Sequence, residues 1–414
     1  MPRHFSSLMG YGLSVAASAI VTLLTIPVLI GSSGASGWAS LAVGQAIGTG
    51  AAIIIGYGWG TTGPTAVARA TASARTELYA ESFRARLLLA GPILVAGVVA
   101  TLLATQTVPL ESALNSLGYG LTGLLAGWYF TGIARPYLFL LLDTVPRIVG
   151  AAAGAGVVFL GAPLIAFTLL QLVGVLVGIV VSTRFIASRG SLGLRTVPTQ
   201  QTIHILKNQS HGIAIALVAA AWSSIPISIV AIFAPGGLAA YALLDKLLRF
   251  GSTAYSPIIQ LLQGWVPTGL PEQLLRKVRK ALLLGSVLAT SGALILIVTG
   301  RWVVGLLSHD QVAPPLTLVL AFGITLLFTV GSQICGLVCL LALDRAQLLA
   351  KMSVLTVGIG LPAVITGAII WGANGAAWSL AAAECLSFSL QLRLLVRAAT
   401  EFGSRYPSVQ SKRV

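Results

Sequence analysis

Charge is what this sequence has least of. Asp, Glu, Lys and Arg make up 8% of its 414 residues, against 56% hydrophobic. A water-soluble domain of this length needs far more charge to cover its surface, so that class is excluded. Cysteine is nearly absent too: Cys335, Cys339 and Cys385 all fall in apolar runs, which argues against a disulfide framework or a metal site. His4, His204, His211 and His309 are scattered and show no ligand spacing. No G-x-x-x-x-G-K-[ST] loop occurs, so a nucleotide is not expected to drive whatever this chain does. Long polar loops are missing between most apolar runs, which leaves little room for an external catalytic domain and argues against an enzyme.

What the chain has instead is apolar length. Mean hydropathy is +0.94, and runs of about 18 or more apolar residues recur, each enough for a helix across a ~30 Å hydrocarbon core. Twelve spans are predicted, at 8–31, 38–58, 86–107, 113–133, 137–160, 163–186, 211–233, 238–262, 280–300, 315–342, 350–371 and 374–395. The first run is not followed by a small-residue cleavage site and is expected to be a retained span. The expected fold class is an all-α integral membrane protein of about twelve helices, multi-pass.

The net charge of +15 follows from topology. With span ends counted among their loops, all but four of the 25 Lys and Arg lie at the termini or in the loops after spans 2, 4, 6, 8 and 10. The exceptions are Arg147, Lys246, Arg249 and Arg301. The positive-inside rule therefore predicts cytoplasmic termini and cytoplasmic even-numbered loops. It also predicts attraction to anionic membrane lipids and no nucleic-acid partner. Asn208-Gln209-Ser210 matches a glycosylation sequon, but it lies in a predicted cytoplasmic loop and is read as chance.

The polar stretch from Ser188 to Gly212 divides six spans from six. This predicts an N-terminal lobe over 1–187, a cytoplasmic linker over 188–211, a C-terminal lobe over 212–396 and a cytoplasmic tail over 397–414. Weak internal similarity points the same way. "SGWASLAVGQAI" (36–47) aligns with "GGLAAYALLDKL" (236–247), placing Gln45 opposite Asp245. "ARPYLFLLL" (134–142) aligns with "DRAQLLAKM" (344–352), each a basic turn entering the fifth span of its half. Parallel six-span repeats with a site between them are a known transporter design.

Charges inside the spans are the candidate site. Asp143 and Arg147 are four apart on one helix face, and Asp245 and Arg249 repeat that spacing. Lys246 adds a base, Arg69 and Arg135 stand at the rim, and Glu384 is a further acid at depth. A charge at the bilayer centre costs about 2.5–3.5 kcal/mol on insertion scales, so such groups should face protein or a water-filled cavity. One reading is two self-neutralising structural bridges. The other is a cavity with surplus base, in which Arg147, Arg249, Lys246, Arg69 and Arg135 bind an anionic substrate. Asp143, Asp245, Glu384 and Gln45 would then line the cavity or couple ions. Pro27, Pro146, Pro226, Pro257 and Pro362 mark places where spans can bend.

Five stretches carry a resemblance to a known family: "IPVLIGSSGASGWAS" (26–40), "GYGWGTTGPTAVAR" (56–69), "GWYFTGIARPYLFLLLDTVPRIVG" (127–150), "GGLAAYALLDKLLRF" (236–250) and "GANGAAWSLAAAE" (372–384). In order and spacing, over nearly the whole length, they resemble the polysaccharide-repeat-unit (O-antigen type) flippases of the multidrug/oligosaccharidyl-lipid/polysaccharide exporter superfamily. The chain departs from that family in being rich in Ala and Gly and poor in Phe and Lys. The resemblance implies two six-helix lobes around a central, often cationic cavity. It implies transfer of an undecaprenyl-pyrophosphate-linked oligosaccharide from the inner to the outer leaflet of a bacterial cytoplasmic membrane, for surface polysaccharide. No cofactor is implied; coupling to a proton or sodium gradient and contact with a glycan polymerase machinery stay open. The competing functions are a cation-coupled drug or small-molecule exporter of the same superfamily, a membrane glycan polymerase or ligase, and a non-transporting scaffold. A net basic cavity argues against the exporter and short outer loops against the polymerase. A scaffold would have no need of charges at depth.

Overall fold

The computed structural model describes residues 2–188, 210–267 and 271–405, and every regular element among them is helical. Among the described residues, seven helices are long and apolar enough to cross a membrane. Two of these contain two spans each, because a residue with non-helical backbone breaks them near the middle. Pro2–Gly56 breaks at Gly34 (φ 72°, ψ 170°), between spans 1 and 2. Ala346–Arg405 breaks at Trp371 and Gly372 (φ 63°, ψ −145° at the glycine), between spans 11 and 12. Both glycines take left-handed angles that a side chain would disfavour, and both turns are reversals made without a loop.

The remaining spans follow in order. Ala72–Ala104 is span 3, and Ile165–Ala187 is span 6. Span 4 runs through Pro109–Leu121, a 3-10 turn over Thr122–Leu124, and the short helix Gly127–Gly132. Span 5 opens on Pro136–Leu138, widens into a π-helix over Phe139–Thr144, and continues as Val145–Phe159. Ser210–Phe233 is span 7, and Leu238–Ala254 with Ser256–Trp265 forms span 8. Pro271–Ser308 is span 9, while span 10 joins Leu316–Gln333 to a second π-helix, Ile334–Leu340. The protein is an all-α membrane fold of about twelve spans. The departures from expectation are in span 3, whose helix begins well before residue 86, and in span 4, which is interrupted.

Two compact units result. One comprises Met1–Ile232 with Leu306–Gln311; the other comprises Phe233–Gly305 with Val312–Val414. The helix Ser210–Phe233, read from sequence as opening the second lobe, falls in the first unit. Most of the expected linker (189–209) and half of the expected tail (406–414) lie outside the described residues.

Close helix contact in the first unit depends on small residues. Gly44 and Gly48 of span 2 lie against the backbone carbonyls of Ser112 and Ser116 in span 4, where a Cβ would have no room. Asn115 donates its amide to the Leu41 carbonyl across the same seam, at 2.8 Å. Lipid is as apolar as a leucine face, so packing of this kind and buried hydrogen bonds hold spans together where the hydrophobic effect cannot.

The aligned turns at 134 and 344 share their geometry. Ala134 has φ 54° and Asp344 φ 59°. The Arg135 N–H donates to Phe130 O at 3.1 Å, and the Arg345 N–H to Leu340 O at 3.0 Å. The preceding residues donate in the same pattern, Ala134 to Thr131 O and Asp344 to Leu341 O. This is a Schellman-type helix end occurring twice at a separation of 210 residues, and it supports the two-fold repeat read from sequence.

Candidate functional site

Span 5 is built around Pro146. Proline offers no N–H to the carbonyl one turn back, that of Leu142. Ser182 of span 6 supplies the missing donor, its hydroxyl reaching Leu142 O at 3.0 Å. The same turn is a π-helix, a local widening common at functional sites. It carries Asp143.

Asp143 is 3% exposed. Its Oδ1 accepts Arg147 Nη2 at 3.0 Å, and Arg147 Nε also donates to the Asp143 carbonyl at 3.1 Å. The carboxylate accepts the Gly127 N–H as well. Gly127 cannot readily be larger, since a Cβ there would stand 2.7 Å from the Phe139 ring and 3.0 Å from Asp143 Oδ2. Arg147 has Tyr119 as an electrostatic neighbour, and the Tyr119 hydroxyl bonds to Gln171. The acid is therefore enclosed, whereas the guanidinium side chain keeps 33% of its surface, against 4% for the carboxylate side chain.

The second unit contains the other pair. Asp245 and Arg249 meet in a fork, Nε to Oδ2 at 2.6 Å and Nη2 to Oδ1 at 3.2 Å. Again the acid is covered and the base is not: 11% of the Asp245 side chain is exposed and 41% of Arg249. Lys246, half-buried, lies within electrostatic reach of both. Tyr241 is fully buried one turn earlier and packs edge-on against Phe322, with centroids 5.0 Å apart. Glu384 is buried in span 12. Gln45 is half-buried in span 2, and its carbonyl accepts the Thr49 hydroxyl. Arg69 ends the helix Trp59–Arg69, and Arg135 sits in the turn between spans 4 and 5; both are exposed.

One buried charge escaped sequence reasoning. Arg86, counted from sequence among the loop bases at the start of span 3, is 1% exposed inside the helix Ala72–Ala104. Its Nη1 donates to the carbonyls of Gly123 and Leu125, both at 2.9 Å, and its guanidinium lies 5.7 Å from the Trp128 ring centroid. Those carbonyls flank the break in span 4, where the helix cannot satisfy its own backbone. Arg86 thus caps an interrupted helix from the side. Tyr79, two turns earlier, joins Trp59, Trp128 and Tyr129 in the aromatic cluster around it. The available signal was a helix face running Thr76, Tyr79, Ser82, Arg86, Ala90, all of which are buried.

No family model and no curated protein matches this sequence. Solved structures do. An inward-facing multidrug resistance MATE family transporter of the MOP superfamily aligns with 96% of this chain and 100% of its own, at TM-score 0.65 and 12% identity. The MATE transporter VcmN of Vibrio cholerae aligns over 97% of both chains at TM-score 0.56 and 15% identity. A eukaryotic MATE transporter aligns over 97% and 96% at TM-score 0.57 and 12% identity. The fold is that of the MATE transporters. The superfamily to which the first of them belongs is the one that the sequence motifs resemble.

Proposed function

We propose that this protein is a transporter for an anionic amphiphile, and specifically a flippase for an undecaprenyl-pyrophosphate-linked oligosaccharide on its way to a surface polysaccharide. One observation carries the reading. In both ion pairs the carboxylate is covered while the arginine side chain stays partly exposed, 33% for Arg147 and 41% for Arg249. A solute reaching either pair meets a cation whose counter-ion lies behind it, and a planar guanidinium suits phosphate oxygens. On this reading Arg147, Arg249 and Lys246 bind substrate, with Arg69 and Arg135 steering at the rim. Asp143 and Asp245 orient the arginines, and Glu384 and Gln45 are left for ion coupling by a proton or sodium gradient. The membrane would be a bacterial cytoplasmic membrane with both termini inside, and glycan polymerase machinery a candidate partner.

A second reading has its own support. The likeness to MATE transporters, one of them described as a multidrug resistance transporter, favours an ion-coupled exporter of drugs or small molecules. The comparisons lean to this second reading, and the partly exposed arginines lean to the first. Reconstitution separates them. The protein in liposomes is given either a fluorescent pyrophosphate-linked prenyl oligosaccharide or a cationic dye with an imposed proton or sodium gradient. Lipid movement between leaflets that is lost in Arg147→Ala supports the flippase. Gradient-driven dye efflux with no lipid movement would transfer the protein to the exporter reading.

A further inference from the structure

A cavity of about 450 Å³ opens in the first unit between spans 2, 3 and 7, within the ~300–1,000 Å³ range of ligand pockets. Its walls are aliphatic, with Ile47 and Ile54 from span 2, Ile93 and Gly97 from span 3, and Leu217 and Ile225 from span 7. Two hydroxyls border it, each already within hydrogen-bond distance of a partner on its own helix: Ser228 donates to the Ser224 carbonyl at 2.9 Å, and Ser224 is within 3.3 Å of the Ser223 hydroxyl. Spans 2 and 7 meet at one edge of this groove, where Gly50 lies so close to Ser224 that a Cβ would come within 2.6 Å of its hydroxyl. Leu217 and Ile225 are 47% and 37% exposed, so the groove is open on its span 7 side. Its walls on spans 2 and 3 belong to helices apolar enough to cross a membrane. Water and polar headgroups are unfavourable there, and an aliphatic chain is the chemistry that fits.

The groove shares span 2 with the cationic network. Gly48, between groove residues Ile47 and Ala51, carries Tyr119 against it, with only 2.7 Å between a Cβ there and that of Tyr119. Tyr119 in turn neighbours Arg147. A phosphate drawn from the membrane surface to Arg147 brings the first carbons of its tail to the same depth, and that tail then needs apolar surface at that level. We infer that the groove between spans 2, 3 and 7 receives the proximal isoprenoid segment of the lipid-linked substrate while its phosphate is at Arg147. The inference rests on the flippase reading and adds a second point of recognition, for the tail.

The test uses the full-length protein in nanodiscs and fluorescent undecaprenyl phosphate as the probe. Ala96→Phe with Ala100→Phe fills the groove from its exposed side, where both alanines face outward. Val95→Phe with Val99→Phe, at positions 65% and 49% exposed and outside the groove, is the control for bulk on span 3. The expected result is at least a ten-fold loss of probe affinity in the groove variant and less than a two-fold change in the control, with phospholipid co-purification equal in the two. Unchanged probe affinity in the groove variant, beside a ten-fold loss in Arg147→Ala, overturns the groove and leaves the flippase reading standing. A groove variant that loses bound phospholipid but not probe also overturns it, making the groove a bilayer acyl-chain site. Wild-type protein that binds the probe no better than it binds a phospholipid removes both.

Discussion

Arg147 and Arg249 are where the two roles of a membrane-depth charge can be told apart. If each arginine binds a phosphate, Arg→Ala removes a charge-assisted contact worth roughly 1.5–3 kcal/mol, about a 10- to 150-fold loss in affinity. Arg→Lys should recover part of it, because a point charge replaces a planar fork. If the arginines serve only to neutralise, Arg147→Ala strands Asp143, 3% exposed, without its counter-ion, and the protein should fail to accumulate. The double variant Asp143→Asn with Arg147→Ala separates these outcomes. Normal expression and stability without lipid transport supports substrate binding; wild-type transport would remove Arg147 from it. Arg86 calls for a different measurement. Arg86→Ala leaves the carbonyls of Gly123 and Leu125 without their donor, at about 1–3 kcal/mol each. The expected outcome is a markedly lower thermal midpoint in detergent, partly restored in Arg86→Lys, which can reach one carbonyl at a time.

At the scale of single helices, span 5 yields a prediction of its own. Ser182→Ala should cost roughly 1–3 kcal/mol, since it leaves the Leu142 carbonyl with neither a proline N–H nor a hydroxyl. Adding Pro146→Ala restores an N–H in the turn and should return part of that loss; a thermal-shift double-mutant cycle in which the two effects simply add would show that the bond is not shared in this way. The same span marks the boundary of what could be read from sequence. Asp143 with Arg147 and Asp245 with Arg249 are visible because four residues is the repeat of a helix face and both members of each pair lie on one helix. Which member would be covered was not visible, because Gly127, the donor behind Asp143, sits on a different span. Arg86 was hidden for the same reason: its partners lie 37 and 39 residues on, at a break in span 4 that hydropathy does not register. The breaks at Gly34 and at Trp371–Gly372 were anticipated as turns between spans, but not as reversals made by one or two residues.

For the whole molecule, the spans were legible because membrane thickness sets helix length and the basic residues punctuate the loops. The boundary between compact units was not. A polar stretch marks where a chain leaves the membrane, but the side on which the next helix packs depends on contacts such as Gly50 with Ser224. Accessibility tags at residue 1 and at residue 414 should report the cytoplasm, as should one within 188–212, while a tag near His309 should report the exterior. An external signal from the central stretch would reverse the positive-inside assignment, and with it the direction in which a substrate is carried. Coupling is tested on the same reconstituted protein. Glu384→Gln should leave downhill exchange intact and abolish gradient-driven accumulation if that buried acid carries the ion. Full gradient dependence in the variant would release it from that role.

The hydroxyl that spans 5 and 6 share has a mechanical meaning. A proline bend normally works as a private hinge, free to flex because its backbone bond is already missing. Here the bond has been replaced from next door, so opening the bend in span 5 means breaking the Ser182 contact or carrying span 6 along. Gly150 and Gly174, two turns away, interlock the same two helices with backbone against backbone and leave no slack for sliding. Spans 5 and 6 are therefore built to travel as one paddle, with Asp143 and Arg147 riding on it.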